Sequence, residues 1–263
     1  MEQIGYIQPL QHEPSNPVIY HLTLGNERIR LNEALGNTIQ ITFLGEKACS
    51  YCGRKIKKTY NNGSCYPCYI NRAENDLCIV KPELCHYQAG TCRDQAFGEK
   101  HCMQTHYVYL ALSSDVKIGI TRKTNAFKRW IDQGAISAIP IMEVPTRKIA
   151  GEIEAHLAQY IKDKTNWRKM LKNEISDENL LEVRERLLDH IPPSYSDYLL
   201  SEKQIYEFTY PQISAPTKMT SLNLDKQTFI SGKLLGIKAQ YLILDQGVLN
   251  IRKHTGYKIA LQC

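Results

Sequence analysis

The stretch that decides the fold is residues 107–121, YVYLALSSDVKIGIT. Two segments rich in β-branched and aromatic residues, 107–112 and 116–121, flank the short polar link 113–115. Strands joined by so short a link can pair only as an antiparallel hairpin, because a parallel pair needs a crossover of a dozen or more residues. The sequence therefore predicts a central β-hairpin with Gly119 inside its second strand.

A helix is expected directly after the hairpin. Asn125 can cap it, and Gly134 can end it, because glycine readily adopts the left-handed conformation found after helix C-termini. Between them, Phe127, Trp130 and Ile131 share one helical face. The sequence therefore predicts a short amphipathic helix at this point.

A third strand and two more helices complete the central region. Residues 139–144 predict the strand, and Pro140 places it at an edge or at a strand start, because proline cannot donate a ladder hydrogen bond. Apolar residues recur every four positions over 149–161, the spacing of an amphipathic helix. Residues 177–191 predict another helix, acidic outside and leucine-rich inside, that ends at a Pro-Pro pair.

Strand patterns lie near both ends of the chain, at 18–24, 29–31, 38–43, 227–234, 239–244 and 247–252. We expect strands from the two ends to pair in one small β-domain. The fold class is then α+β: an α/β core, a Cys-rich module and this β-domain. The predicted divisions are N-terminal strands, Cys-rich module, core, helical connector and C-terminal strands, at 1–44, 45–105, 106–172, 173–204 and 205–263.

Net charge is +6, and it is unevenly spread. Residues 106–172 hold 12 Lys/Arg against 6 Asp/Glu, whereas 173–204 hold 3 against 8. A basic region favours a polyanion, so we expect nucleic acid as the partner. No apolar run approaches the roughly 18 residues of a membrane span, and the N-terminus lacks a secretory pattern. We therefore expect a cytoplasmic protein with no membrane partner.

Eight of the nine cysteines lie between Cys49 and Cys102. Without a signal peptide, such a density indicates metal binding rather than disulfides. Two CxxC pairs, separated by twelve residues, can each direct two sulfurs at one ion and complete a tetrahedral thiolate site. These pairs predict a structural zinc, with the ligands Cys49, Cys52, Cys65 and Cys68.

The other four cysteines of this region have no common finger spacing, yet their proximity suggests a second zinc. They are Cys78, Cys85, Cys92 and Cys102. His86, His101 or His106 could replace one sulfur, and several of the cysteines could instead be small buried hydrophobes. The ninth cysteine, Cys263, is expected to be a free thiol.

The hairpin, the helix after it and the later helix together resemble the GIY-YIG nuclease superfamily. The resemblance covers about a quarter of the chain. It implies a fold that cuts phosphodiesters with one divalent ion, Mg²⁺ or Mn²⁺. Matching the motif position by position gives the site residues Tyr109, Lys117, Gly119, Arg129, Glu154 and Asn166.

The resemblance also implies a role for each of these residues. Glu154, with Glu152 as the alternative, would hold the metal ion, and Arg129 would brace the phosphate as charge builds. Gly119 would let substrate approach the strand, and Asn166 would fix the helix and loop around the site. Substrate would also contact the nearby cations Arg122, Lys123 and Lys128.

The chain departs from the family pattern at Lys117, where the family has its second tyrosine. A lysine, with an ordinary pKa of about 10.4, is protonated at neutral pH and cannot accept a proton. Burial near a metal could lower that pKa. Otherwise Lys117 would bind phosphate, and Tyr109, Tyr107 or His106 would have to act as general base. Over the whole chain, the Cys-rich front and the stretch WIDQGA at 130–135 resemble the DUF2797 family.

Three functions are therefore open. The first is a zinc-containing endonuclease that acts on DNA more readily than on RNA. The second is a nucleic-acid-binding protein that keeps the nuclease fold without cutting. The third is a zinc-stapled scaffold that binds another protein through the acidic helix at 177–191.

Overall fold

The computed structural model describes residues 2–161, 166–216 and 219–263. The strands, in chain order, are β1 (Glu2–Tyr6), β2 (Gln11–Glu13), β3 (Ile19–Leu24), β4 (Glu27–Arg30), β5 (Thr38–Lys47), β6 (His106–Leu112), β7 (Val116–Arg122), β8 (Ser137–Val144), β9 (Tyr206–Glu207), β10 (Ser221–Leu222), β11 (Phe229–Lys238), β12 (Tyr241–Leu244), β13 (Gly247–Asn250) and β14 (Tyr257–Gln262). The helices are α1 (Tyr66–Asn71), α2 (Gln95–His101), α3 (Ala126–Asp132), α4 (Arg147–Leu157), α5 (Trp167–Lys172) and α6 (Leu180–Leu188). The predicted α+β class is confirmed.

The chain divides into two compact units. The first contains the residues up to Ile70 together with Phe208–Cys263, and the second is Asn71–Glu207. The Cys-rich stretch 45–105, which we expected to form one module, is therefore divided between the two units. Its first four cysteines lie in the first unit and the other four in the second.

The first unit contains a seven-stranded sheet with the order β1-β14-β5-β11-β12-β13-β10. Strands from both chain ends alternate in it, since β14 lies between β1 and β5, and β5 pairs on its other side with β11. All pairs are antiparallel except β10 with β13. A three-stranded sheet, β2-β3-β4, belongs to the same unit. Strand β14 did not appear among our predictions, and β11 is longer than predicted.

The second unit is organised around a four-stranded sheet with the order β7-β6-β8-β9. The predicted hairpin is confirmed: β6 and β7 are antiparallel, with Tyr109 opposite Gly119 and Ala111 opposite Lys117. Because side chains alternate along a strand, these four residues share one face of the sheet. The intervening residues of β6, including Val108 and Leu110, face the other side.

Strand β8 runs inside the sheet, although Pro140 suggested an edge. Pro140 lies opposite Tyr109, where the β6–β8 register shifts by one residue. On its other side β8 pairs with β9 only at Ser137 and Ala138. The sheet thus tolerates the missing proline N–H at a bulge, beyond the reach of the short neighbouring strand.

The helices of the second unit begin and end with recognisable caps. Gly134 has φ +70°, and the N–H groups of Gly134 and Ala135 donate to the carbonyls of Ile131 and Trp130, which is a Schellman end for α3. Asn125 precedes α3, but its side chain makes no capping hydrogen bond, contrary to our expectation. Thr146 caps α4 through its side-chain oxygen.

The core of the second unit lies on the face of the sheet that carries Val108 and Leu110. Ile153 of α4 and Val183 of α6 are buried in the same apolar cluster. The stripe predicted over 149–161 thus has its first part in α4. Among the described residues, no helix combines the length and apolar character needed to cross a bilayer.

Helix α4 packs closely because residue 151 is glycine. A methyl group at Gly151 would lie 2.5 Å from the backbone nitrogen of Glu83 and 2.6 Å from Cβ of Pro82. Replacing glycine by alanine inside a helix ordinarily stabilises it by about 1 kcal/mol. Here the helix would have to move away from the 82–84 turn.

We therefore predict that Gly151→Ala lowers the free energy of unfolding by about 2 kcal/mol, the usual range for overpacking. Urea denaturation measures this change. Ala155→Ser, on the exposed side of the same helix, is the control and should stay within about 0.5 kcal/mol of wild type. A stabilised Gly151→Ala protein would show that α4 does not pack as described.

Candidate functional site

The first cysteine group is a four-sulfur cluster. The sulfurs of Cys49, Cys52, Cys65 and Cys68 all lie within 4.8 Å of one another, and Cys52 and Cys65 are 3.8 Å apart. A tetrahedron of thiolates with Zn–S bonds of about 2.3 Å has sulfur–sulfur distances of about 3.8 Å. The cluster therefore has the ligands and the dimensions of a zinc site, as predicted for this group.

Backbone geometry presents these sulfurs to one point. After the first pair, Gly53 has φ +71° and donates its N–H to the carbonyl of Cys49, closing a tight turn. The second pair spans the start of α1, so that Cys65 and Cys68 are one turn apart. The N–H of Cys65 also donates to the sulfur of Cys49 at 3.2 Å.

The first thiol of the cluster is prepared to ionise. Burial disfavours the charged form of Cys49, but backbone N–H donors from Cys52, Cys65 and Tyr51 outweigh burial and lower the pKa of the thiol to about 6. Zinc binds cysteine as the thiolate, so donors that stabilise the anion favour coordination. Four sulfurs would fill all the positions of a tetrahedral ion, which suits a structural ion.

The second cysteine group is arranged differently from our prediction. The groups that lie within 4.8 Å of one another are Asp76, Cys78 and His86, rather than the four cysteines. Cys85, Cys92 and Cys102 line the same small cavity, of about 10 Å³. The cavity therefore has a mixed set of oxygen, sulfur and nitrogen ligands around a space the size of one small ion.

Neighbouring groups hold two of these ligands in place. His86 has its Nδ1 atom 2.8 Å from the hydroxyl of Thr91, and its Nε2 atom is directed at Asp76, 3.6 Å away. A hydrogen bond at one ring nitrogen that leaves the other for a metal is the usual arrangement of metal-binding histidines. The carboxylate of Asp76 also forms an ion pair with Arg93 at 2.7 Å.

The candidate nuclease residues centre on Tyr109. Its ring is completely buried and covers Gly119 on the paired strand, where an added methyl group would lie 2.7 Å from the tyrosine hydroxyl. The hydroxyl donates to Oε1 of Gln133 at 3.0 Å, and Trp130 contacts the ring edge-on at 5.8 Å. Gly119 is thus required by Tyr109 itself and does not leave an open surface for substrate.

Arg129 and Glu154 both act on this hydroxyl. Burial raises the pKa of Tyr109, the Arg129 side chain opposes the rise by its charge and by hydrogen bonding, and the negative charge of Glu154 adds to it. The two charges act on this hydroxyl from different elements, Arg129 from α3 and Glu154 from α4. Arg129 is exposed and Glu154 is half-buried, so both remain accessible to a ligand.

The other candidate cations near this site are three lysines, and two of them form ion pairs with acidic side chains. Lys117 is half-buried on the same sheet face as Tyr109, two residues before Gly119. Lys123 forms an ion pair with Glu143 at 2.9 Å, and Lys128 pairs with Asp132 at 3.1 Å. Two of the predicted phosphate contacts thus have acidic partners.

The flanking candidates Tyr107 and Arg122 lie on opposite faces of the hairpin, since Tyr107 pairs with Thr121 and Arg122 pairs with His106. Tyr107 shares the Tyr109 face, and burial raises the pKa of its hydroxyl. Arg122, at the end of β7, is half-buried. Glu152, the alternative metal ligand, is held by Lys148 at 2.6 Å and by the hydroxyl of Tyr195 at 3.2 Å.

Asn166 has a local structural role in α5. Its side-chain oxygen accepts hydrogen bonds from the backbone N–H groups of Arg168 and Lys169, which makes it the N-cap. Its own N–H donates to the hydroxyl of Ser114 in the hairpin turn at 3.1 Å. Asn166 therefore links α5 to the hairpin, while its oxygen is occupied by the helix.

His106 lies on the wrong face to act with Tyr109. Residues 106 and 109 have opposite parity on β6, so their side chains project to opposite sides of the sheet. His106 is 2% exposed, and its Nδ1 atom donates to the carbonyl of Gln104 at 2.6 Å. The structure thus contradicts its candidacy as a general base at this site.

Sequence reasoning missed two residues. Gln133 is the hydrogen-bond acceptor of Tyr109, and the only available signal was a polar residue just before the helix-ending Gly134. Asp76 belongs to the second ligand group, and its spacing of two residues before Cys78 was the available signal. Both positions depend on contacts between segments distant in sequence or on loop geometry.

Burial lowers the pKa of His106 to about 4, from an ordinary value of about 6.5. Above pH 6.5 the imidazole is neutral in both states, so its contribution to stability is constant. Between pH 6.5 and 4 the unfolded chain binds a proton that the folded protein does not, so stability is lost as pH falls.

We therefore predict that wild type loses up to about 3 kcal/mol more than His106→Gln over this interval. Denaturant unfolding of both proteins at several pH values gives the difference directly, because contributions from all other groups are common to both. Parallel pH profiles would contradict the burial of a neutral His106.

Comparison with known proteins gave one family. The family model described as "Protein of unknown function (DUF2797)" matches residues 36–259. No curated protein and no solved structure gave a significant match. Because the match extends over most of both units, the chain belongs to the DUF2797 family.

Proposed function

We propose that this protein is a metal-dependent endonuclease that hydrolyses phosphodiester bonds, with DNA as the preferred substrate. The observation that supports it is that the charges of Arg129 and Glu154 both act on the buried hydroxyl of Tyr109, whose ring covers Gly119. These are residues that the resemblance to the GIY-YIG superfamily assigns to one site. The surrounding segment 106–172 is also basic, with 12 Lys/Arg against 6 Asp/Glu.

Glu154 is the residue that would hold Mg²⁺ or Mn²⁺. The ligand groups found within the described residues do not include Glu154, so the site offers one carboxylate rather than a closed cage. That arrangement fits Mg²⁺, which usually keeps several waters and takes one or two carboxylates plus substrate phosphate. The ion, when bound, would polarise the phosphodiester and stabilise charge on the leaving oxygen.

Arg129 would bind the phosphate itself. Its guanidinium is exposed and carries several N–H donors, which can bridge two non-bridging oxygens. Lys117, on the same sheet face as Tyr109, would add a second positive charge near the phosphate.

Tyr109 is suited to positioning rather than to proton transfer. Its hydroxyl is buried, donates to Gln133, and keeps its proton because burial raises its pKa. The pKa of Tyr107 is raised as well, and the face that holds His106 is the opposite one. These observations favour a second candidate function, a protein that binds nucleic acid through the same residues without cutting it.

The proposal predicts cleavage of labelled DNA by the purified protein in Mg²⁺ or Mn²⁺. Glu154→Gln should lower the cleavage rate by at least about 100-fold, because it removes the carboxylate that would hold the metal ion. Arg129→Lys should lower it by about 10- to 100-fold, because lysine keeps the charge but cannot bridge two phosphate oxygens. Gel assays on single- and double-stranded DNA and RNA give the rates and the preferred substrate.

Glu152→Gln is the matched control, since it makes the same chemical change two residues away on α4. It should stay within a few-fold of wild type, because Glu152 is engaged with Lys148 and Tyr195. Cleavage that persists in Glu154→Gln would refute the assigned site. Wild type that binds DNA but leaves it intact would favour the second candidate function.

The proposed zinc content is two structural ions per chain. Cys49, Cys52, Cys65 and Cys68 would bind the first. Asp76, Cys78 and His86 would bind the second, with a fourth ligand from Cys85 or Cys102, which pack beside Cys78. Such ions supply folding free energy on the order of 10 kcal/mol in loop-rich segments.

Elemental analysis of the purified protein is expected to give about two zinc ions per chain. Cys52→Ser should remove one and Cys78→Ser the other, since serine is a poor zinc ligand. Cys263→Ser is the control and should remove neither, because Cys263 lies outside both groups. A folded, metal-free wild type would contradict both sites, and retention of two ions in Cys78→Ser would contradict the second.

A further inference from the structure

A cluster of tyrosines lies on the surface of the first unit next to the four-sulfur site. Tyr60 and Tyr69 are stacked, with ring centroids 5.5 Å apart and planes 21° apart, and Tyr66 lies 5.4 Å from Tyr60. Tyr66 is 55% exposed and Tyr69 is 37% exposed. Exposed flat rings grouped in this way are unusual on a surface that binds nothing.

All the Lys, Arg, Asp or Glu residues of the segment around these tyrosines are basic. Residues 47–70 contain five Lys/Arg and no Asp/Glu. Lys58 lies over the ring of Tyr60 at 5.1 Å, and Arg54 and Lys57 are exposed. Lys47 and Lys55 have acidic partners, Asp225 and Glu46. Three of the five cations, Arg54, Lys57 and Lys58, are therefore exposed without an ion-pair partner among the described residues, and Lys58 lies against the tyrosine cluster.

Local structure fixes the rings before any ligand arrives. Tyr66 and Tyr69 are three residues apart on α1, so they project from the same side of the helix. The same turn carries Cys65 and Cys68. Tyr60 is tied back by hydrogen bonds with Ser64 and Gly63. A ligand that stacks on these rings would lose little binding energy in ordering them.

We propose that this surface, the tyrosine platform (Tyr60, Tyr66 and Tyr69 with Arg54, Lys57 and Lys58), binds single-stranded nucleic acid. Bases stack on exposed aromatic rings, and lysines and arginines follow the phosphates, which is how sequence-tolerant single-strand binding is built. A duplex keeps its bases stacked within itself and cannot offer them to the rings. The absence of acidic residues in 47–70 favours a polyanion over a protein partner.

The inference rests on the proposed function only in taking nucleic acid as the ligand. The platform belongs to the first unit, whereas Arg129 and Glu154 belong to the second. Binding and cleavage can therefore be tested separately. Binding is measured in the Glu154→Gln background protein so that the labelled nucleic acid is not cleaved during the measurement.

The experiment measures fluorescence anisotropy of labelled mixed-sequence 20-mers, as single-stranded DNA, single-stranded RNA and duplex DNA, with the full-length zinc-loaded protein. Tyr66→Ala/Tyr69→Ala should weaken single-strand binding by about 10- to 100-fold, because each base–ring stack is lost. Tyr66→Phe/Tyr69→Phe keeps the rings and should bind within about threefold of the background protein. Lys57→Ala should reduce the slope of affinity against salt by about one.

Tyr160→Ala, at an exposed tyrosine of the second unit, is the control and should leave binding unchanged. Unaltered thermal unfolding and zinc content verify that each variant is folded. Single-strand affinity unchanged in Tyr66→Ala/Tyr69→Ala overturns the platform even if wild type cleaves DNA. Failure of the background protein to bind any single strand at low salt also overturns it and leaves a protein as the occupant. Loss of single-strand binding in Tyr66→Ala/Tyr69→Ala supports the platform even if wild type never cleaves DNA.

Discussion

The pairing of Tyr109 with Gly119 is the constraint on which the second unit depends. A fully buried tyrosine ring covers a position where no other side chain fits. The pairing fixes the register of the hairpin, and the register decides which residues face the apolar core and which face the candidate site. The same ring contacts Trp130 of α3, and the charges of Arg129 and Glu154 shift the pKa of its hydroxyl in opposite directions. One buried contact thus sets both the packing of the second unit and the face of the sheet that carries the candidate site.

The segment 45–105 contains both groups of candidate metal ligands and little regular secondary structure. Residues 45–105 form two short helices and several 3₁₀ turns, and several of their large apolar side chains are exposed, such as Leu77 and Val80. Such a segment cannot bury enough apolar surface to hold its backbone in one conformation. A metal ion bound by the candidate ligand group of each unit would hold this backbone in place instead. The division between units explains why the cysteines fall into two sets with unlike spacing.

Local patterns made the hairpin, the helices after it and the first sulfur cluster predictable, because each is encoded by neighbours in sequence. Strand β14 was missed since its pairing with β1 and β5 is entirely long-range. The ligand set of the second group was mistaken because loop geometry, rather than residue type, brings Asp76 to Cys78. His106 was misplaced by ignoring strand parity, which the sequence already contained. Gln133 required knowledge of where α3 ends against the sheet.

The interleaving of early and late strands has a consequence for biosynthesis. Strand β5 must wait for β11, about 190 residues later, which at ribosomal speeds of about 5–20 residues per second is a delay of about 10–40 s. The intervening unit contains all of its own sheet and is free to fold during that interval. Until then, β5 has unpaired backbone groups on a growing chain, and such an edge can pair with other chains and aggregate.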